Sequence, residues 1–131
     1  MKAFLVDLEN KPGALATIAE ALASKGVNIT GVAGASCGSS GRAAITTSDP
    51  VGTRQALEAA KATFTELEMT EASLPNEPGS LAKATRRLAS AGVNIEAIFP
   101  TGMTGNQVSV GFVTDNPTKA RETLSTTAAG R

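Results

Sequence analysis

The sequence predicts an α+β protein built from two copies of one fold unit. Two observations carry this prediction. A set of residues recurs at a constant offset of 66 positions, and in each copy a strand-like alternation of apolar residues gives way to helical spacing. The tetrapeptide GVNI occurs in both copies, at residues 26–29 and 92–95. Because the chain has 131 residues, two small units are an alternative to one larger domain.

The repeat fixes the predicted domain boundaries at residues 1–69 and 70–131. No insertion separates the matched positions, and Asp49 and Asp115 continue the offset. The residues of the first copy that recur 66 positions later are Asn10, Pro12, Gly13, Leu15, Ala16, Leu22, Ala23, Ser24 and the GVNI tetrapeptide.

Each copy begins with a strand and a helix. Phe4, Val6 and Leu8 alternate with other residues, which is typical of a strand with one buried face. The apolar residues of 15–22 then follow helical spacing, as do those of 81–88. Pro12 and Pro78 are predicted to lie in the first turn of their helices, and Gly26 and Gly92 to end them.

The GVNI segments are predicted to open a second strand, and a third follows at residues 42–47 and 108–114. The Gly/Ser-rich residues 34–41 are interpreted as a flexible hairpin connection. Asp49-Pro50 and Asp115-Asn116-Pro117 then start a second helix.

The predicted fold is therefore two tandem ferredoxin-like βαββαβ units with antiparallel sheets. Residues 64–69 provide the closing strand of the first unit. We expect the second unit to lack its closing strand, so its sheet edge must be blunted, covered or paired with another chain.

Composition excludes several classes of function. Twelve Lys and Arg residues balance twelve Asp and Glu residues, and this zero net charge argues against nucleic acid as a partner. The chain has no His, Trp or Tyr and a single cysteine, Cys37, so we expect no catalytic residues, no metal site and no cofactor. No segment has the length of a membrane span, and the N-terminus does not resemble a secretion signal, which predicts a cytoplasmic protein without a membrane partner.

Four asparagines mark the candidate site. Asn28 and Asn94 lie at the centre of the strand-like GVNI runs, where asparagine is disfavoured and needs compensation. Asn10 and Asn76 precede the first helix of each copy. An amide offers donors and an acceptor without charge, which suits a zwitterionic ligand. The alternatives are that Asn10 and Asn76 cap or turn the chain, and that Asn28 and Asn94 satisfy a neighbouring turn.

The segments Asn10-Lys11-Pro12-Gly13-Ala14-Leu15 and Asn76-Glu77-Pro78-Gly79-Ser80-Leu81, each followed by GVNI, resemble the signature of ACT domains. The resemblance covers nearly the whole chain. It implies a regulatory ligand-binding protein whose domains pair and bind an amino acid in the seam between them.

By this analogy, Asn10 works with Asn94 in one seam and Asn76 with Asn28 in the other. The helix starts supply N–H groups for the ligand's carboxylate, beside Pro12, Gly13, Pro78 and Gly79. Serine-binding members of the family often carry a histidine two places before the first asparagine. Leu8 and Leu74 stand there in this chain, which puts serine in doubt and leaves room for a more apolar amino acid.

The predicted function is a non-catalytic amino-acid sensor. An enzyme on the same fold, such as an acyl-phosphate hydrolase, would require an arginine in the first loop, and residues 8–13 contain none. An RNA-binding sheet would require exposed aromatic residues. The remaining alternatives are a ligand-free structural oligomerisation module and a regulatory subunit of an amino-acid biosynthetic enzyme. The expected partners are a small amino acid, a second copy in a homodimer, and a metabolic enzyme.

Overall fold

The computed structural model describes residues 1–129, with side-chain surroundings for residues 1–125. The chain divides into two compact units. The first unit is Lys2–Leu67, and the second begins at Glu68 and includes Met1. Each unit is built around its own hydrophobic core.

The first unit has the predicted βαββαβ order. Its sheet has the strand order β2-β3-β1-β4, and β3 pairs antiparallel with both β1 and β2. The elements are β1 (Lys2–Glu9), α1 (Ala14–Ser24), β2 (Ile29–Cys37), β3 (Ser40–Thr47), α2 (Pro50–Ala59) and β4 (Phe64–Glu68).

The second unit has the same order up to its last helix. Its sheet has three strands in the order β5-β7-β6, and within the described residues no fourth strand joins this sheet, as the sequence predicted. The elements are β5 (Thr70–Pro75), α3 (Ser80–Ser90), β6 (Ile95–Thr104), β7 (Gln107–Thr114) and α4 (Pro117–Ala129).

Both cores confirm most of the periodicity in the sequence, but Leu15 and Leu81, at the start of the two helical patterns, are 48% and 50% exposed. In the first unit Phe4 and Val6 on β1 pack with Ile18 and Leu22 on α1 in one buried cluster. The second cluster contains residues from β5, α3, β7 and α4: Leu74, Ala84, Leu88, Val110, Phe112, Ala120 and Leu124. In each unit, one face of the first helix is therefore buried against the first strand of the sheet.

The ends of the first helices are partly as predicted. Gly26 adopts a left-handed φ of 70°, and the next amide, that of Val27, donates to the Leu22 carbonyl at 3.1 Å, which ends α1. The placement of Pro12 and Pro78 in the first helical turn is wrong. The helices begin at residues 14 and 80, so each proline precedes the glycine at the N-cap position.

The repeat offset changes inside β6. The register shifts between Pro100 and Gly102, so Thr101 is an extra residue in a bulge. Beyond it the offset is 67, and the equivalence of Asp49 with Asp115 is wrong. Asp49 accepts from the Gly52 amide at 3.0 Å to cap α2, and the matching cap of α4 is Asn116, which accepts from the Lys119 amide at 3.1 Å.

The hairpin of the first unit is more regular than predicted. Strands β2 and β3 extend to Cys37 and from Ser40, so only two residues of the Gly/Ser-rich stretch form the turn. The pairing of residues 34–37 with 40–43 explains why this segment is a strand: backbone hydrogen bonds to a neighbouring strand outweigh the low strand propensity of glycine and serine.

Candidate functional site

The strand–helix loops of the two units have nearly the same backbone. Gly13 and Gly79 take the N-cap positions of α1 and α3 with φ of 89° and 90°, a conformation that favours glycine. Neither helix has a side-chain hydrogen bond at its cap. Because the first turn of a helix leaves amide N–H groups without intrahelical acceptors, these loops present donors to a ligand.

Asn10 and Asn76 occupy equivalent positions but make different contacts. The Asn10 backbone amide donates to the Ser39 carbonyl at 3.0 Å, and its side-chain Nδ2 donates to the Gly38 carbonyl at 2.8 Å. Asn76 keeps only the backbone bond, to the Asn106 carbonyl at 2.8 Å. Its side-chain amide has no hydrogen bond to any described residue and is exposed. The Asn10 side chain therefore binds its loop to the turn between β2 and β3, whereas the Asn76 side-chain amide is available to bind a ligand.

The residues that follow Asn10 and Asn76 in the two loops differ in charge. Lys11 Nζ lies 3.0 Å from Glu9 Oε2, so the charges at this point of the first unit are paired. At the corresponding positions the second unit has Glu77 and Pro75. The Glu77 carboxylate forms no ion pair or hydrogen bond within the part of the chain that the structure describes. The second loop therefore exposes an uncompensated negative charge.

Asn28 and Asn94 are not inside strands, so that prediction is wrong. Strands β2 and β6 begin one residue later, at Ile29 and Ile95. The Asn28 carbonyl accepts from the Ser48 amide at 3.0 Å, and the Asn94 carbonyl accepts from the Asp115 amide at 3.1 Å. These backbone bonds hold each asparagine at the sheet end while its side chain stays exposed.

Within one unit the two kinds of asparagine lie at opposite ends of the sheet. Asn10 bonds to Ser39, just before β3, and Asn28 bonds to Ser48, just after it. The eight residues of β3 separate them by roughly 25 Å. A single unit therefore does not bring Asn10 and Asn28 together, nor Asn76 and Asn94. The pairings of Asn10 with Asn94 and of Asn76 with Asn28 stay predictions.

A cavity of about 370 Å³ lies beside the second loop. Most of its wall is apolar and comes from the three strands of the sheet. Its polar residues come from the loop and the start of α3. The lining residues are Leu74, Pro75, Asn76, Glu77, Ser80, Leu81, Ile98, Phe99, Pro100, Val108 and Val110. Of the predicted site residues, Asn76 alone reaches this cavity.

The first unit has a cavity of another character, of about 490 Å³. Four charged residues line it: Asp7, Glu9, Arg42 and Lys61. Arg42 Nε donates to Asp7 Oδ1 at 3.0 Å, so two of these charges are paired with each other. Neither Asn10 nor Gly13 is among its lining residues. The predicted site residues of the first unit thus border no part of this cavity.

Residues 1–128 match the family described as an ACT domain pair. The chain belongs to this family. The match spans both units, and the ACT resemblance of the two loop motifs is confirmed. A search of curated proteins gives no significant match.

Solved structures show the same fold as this ACT domain pair. A protein from Bacteroides thetaiotaomicron is 29% identical with a TM-score of 0.83, over 97% of this chain and 88% of that one. The ligand-free regulatory subunit of aspartate kinase from Thermus thermophilus is 21% identical with a TM-score of 0.69, over 95% and 89%. Aspartate kinase from Clostridium acetobutylicum is 18% identical with a TM-score of 0.63, over 94% of this chain and 32% of that one.

Sequence reasoning missed Glu77 and the apolar cavity as features of the ACT pair. The substitution of Glu77 for Lys11 inside an otherwise repeated motif was a visible signal. The cavity was not visible, because its wall combines residues from β5, β6 and β7 that are distant in sequence. Among the described residues there is no group of three potential metal ligands, and no helix there is long and apolar enough to span a membrane.

Proposed function

We propose that this ACT domain pair is a non-catalytic regulatory protein of the cytoplasm that binds a small amino acid at its strand–helix loops. The observation that carries the proposal is the second loop, where the unpartnered Asn76 amide and the uncapped start of α3 border the apolar cavity. An amino acid has a carboxylate, an ammonium group and a side chain, and this loop has a complementary group for each.

The chemistry of each group supports this arrangement. The N–H groups at the start of α3 and the positive end of its dipole suit a carboxylate. The Asn76 Oδ1 atom accepts a hydrogen bond from an ammonium group. Pro78 and Gly79 hold the backbone turn that exposes these donors. In the first unit Asn10, Pro12 and Gly13 form the equivalent loop, and Asn28 and Asn94 are proposed to complete the two sites.

The regulatory role is proposed by analogy with the regulatory subunit of aspartate kinase, which has the same fold. Ligand binding to this chain would change the activity of a metabolic enzyme or the association of two copies of this chain in a homodimer. The exposed apolar residues Leu15 and Val32, on α1 and the edge strand β2, support a homodimer. Strand β5 lies at the edge of its sheet in the described part of the chain, which favours the alternative of a structural oligomerisation module that needs no ligand.

Thermal unfolding with each of the twenty amino acids tests the proposal. A ligand present at 100 times its Kd stabilises the native state by about 2.7 kcal/mol, which raises the Tm by several degrees. We expect a selective rise that Asn76→Ala and Asn94→Ala reduce, because neither side chain has another partner in the described structure. Asn10→Ala is a poorer test, since it also removes the bond to Gly38.

Gln55→Ala is the matched control. This residue is an exposed amide on α2 without a hydrogen-bond partner among the described residues, so its removal should leave the ligand response unchanged. Sedimentation of the same samples reports whether the chain is a homodimer. If no amino acid at millimolar concentration changes the Tm, the sensor is rejected in favour of the structural module.

A further inference from the structure

We propose that the second unit holds the selective site of this protein and that its ligand is an amino acid with an aliphatic side chain. The inference rests on the proposed function and names the class of ligand. The side chain occupies the 370 Å³ cavity, and the ammonium group faces Glu77.

The cavity wall carries no charge apart from Glu77. Leu74, Val108 and Val110 contribute apolar side chains from β5 and β7, and Ile98 and Pro100 contribute from β6. The volume lies in the range of small-molecule sites, which is about 300–1,000 Å³. An aliphatic side chain gains free energy by leaving water for such a wall, whereas a polar one loses hydrogen bonds that the wall cannot replace.

Charge at the cavity favours an amino acid over a neutral apolar molecule. Glu77 lines the cavity, and its carboxylate lacks a partner in the described part of the chain. A ligand ammonium group supplies the missing positive charge. Asn76, on the same wall, offers an additional acceptor for the ammonium group.

The first unit lacks this combination at the equivalent positions. Lys11 replaces Glu77 and is paired with Glu9, and the Asn10 amide is bonded to its hairpin turn. Strand pairing aligns three wall residues of the second unit with smaller residues of the first: Pro100 with Gly34, Val108 with Gly41 and Val110 with Ala43. Of the two loops, the second therefore combines an apolar cavity wall with a carboxylate that has no partner among the described residues.

Calorimetric titration of the full chain with alanine, 2-aminobutyrate, valine and leucine, and with serine, aspartate and lysine, tests the ligand class. Each methylene group buried in the cavity should raise the affinity about fourfold. We expect the aliphatic series to bind in order of size until the cavity is full, and the polar amino acids to bind more weakly.

Paired variants test which unit holds the site. Glu77→Gln should lower the affinity for every aliphatic amino acid about tenfold, since it removes a charged hydrogen bond, while Lys11→Gln at the matched position should not. Ile98→Ala should lower the affinity for leucine about fourfold or more, while Val32→Ala, its counterpart 66 residues earlier, should not.

The outcomes separate the two proposals. If a polar amino acid binds and the aliphatic ones do not, the inference is overturned and the sensor remains. If the aliphatic amino acids bind but respond to Lys11→Gln and Val32→Ala instead, the site belongs to the first unit and the inference is also overturned. If no amino acid binds, both the sensor and the inference fail.

Discussion

Gly13 and Gly79 set the path of the chain into the first helix of each unit. Their φ angles of 89° and 90° lie in the left-handed region, where a side chain is strained. A Cβ atom placed on either residue would have no heavy atom within 4 Å apart from those of the residue itself and its chain neighbours. Backbone strain, rather than a steric clash, is therefore what requires glycine at these positions.

The variant Gly79→Ala tests this explanation. We expect it to lower the free energy of unfolding by about 1–2 kcal/mol, the cost of a left-handed conformation for an L-residue. Urea unfolding followed by circular dichroism measures the change. Gly102→Ala is the control, because Gly102 also has free space around a Cβ position but does not have a left-handed φ. Equal effects of the two variants would contradict the strain argument.

The four asparagines show how far the sequence predicts the site at the residue scale. The motif predicts two similar strand–helix loops, and the structure has them, but the motif treats Asn10 and Asn76 as equivalent. The bond from Asn10 to Gly38 joins residues 28 positions apart, and no local pattern predicts it. Likewise, the GVNI pattern suggests a strand throughout, whereas Asn28 and Asn94 bond to the residues that follow β3 and β7.

At the scale of elements, α2 is joined to β4 by an ion pair between Arg54 and Glu66. Arg54 donates from Nε to Glu66 Oε1 at 2.8 Å and from Nη2 to Glu66 Oε2 at 2.9 Å. The hydrogen bond from Arg54 lowers the pKa of Glu66 below its ordinary value, although partial burial opposes the shift. The charged carboxylate is therefore favoured in the folded state.

The pH dependence of this pair follows from the direction of the shift. Because folding lowers the pKa of Glu66, the pair contributes stability above the ordinary glutamate pKa and loses it as the pH falls through the folded value. We expect Glu66→Gln to lower the Tm at pH 7 and the difference from the unmodified protein to shrink in acid. Glu20→Gln, at an exposed residue without a partner in the described structure, is the control. A difference that persists at low pH would show that packing, not charge, explains the effect.

Element order was predictable because period-two and helical patterns alternate and glycines mark the helix ends. The extra residue at Thr101 was missed because Asp49 was matched with Asp115 at the offset of 66, although Pro50 and Pro117, which lie 67 positions apart, were a signal of it. Because of the bulge, the residue that matches Asp49 and caps α4 is Asn116 rather than Asp115. Errors of this kind arise where pairing between strands, rather than local pattern, decides the alignment.

At the scale of the whole molecule, composition limits how the protein responds to pH. The chain has no histidine, the side chain that ordinarily titrates between pH 5 and 8. Carboxyl groups ordinarily titrate near pH 4 and an α-amino group near 7.7–8.0. The lowered pKa of Glu66 lies further from the neutral range, not closer to it.

We therefore expect the Tm to be constant within about 1 °C between pH 5.5 and 7.0, because the stability changes with pH only where the folded and unfolded states bind different numbers of protons. Below about pH 4.5 the Tm should fall as carboxylates such as Glu66 become protonated. Calorimetric scans in buffers of equal ionic strength measure both ranges. A change in Tm between pH 5.5 and 7.0 would indicate a carboxyl group whose pKa is raised by folding. Measuring the Tm of single Asp→Asn and Glu→Gln variants would then identify this group. If this change is absent, the stability of the folded protein does not vary with pH across this range.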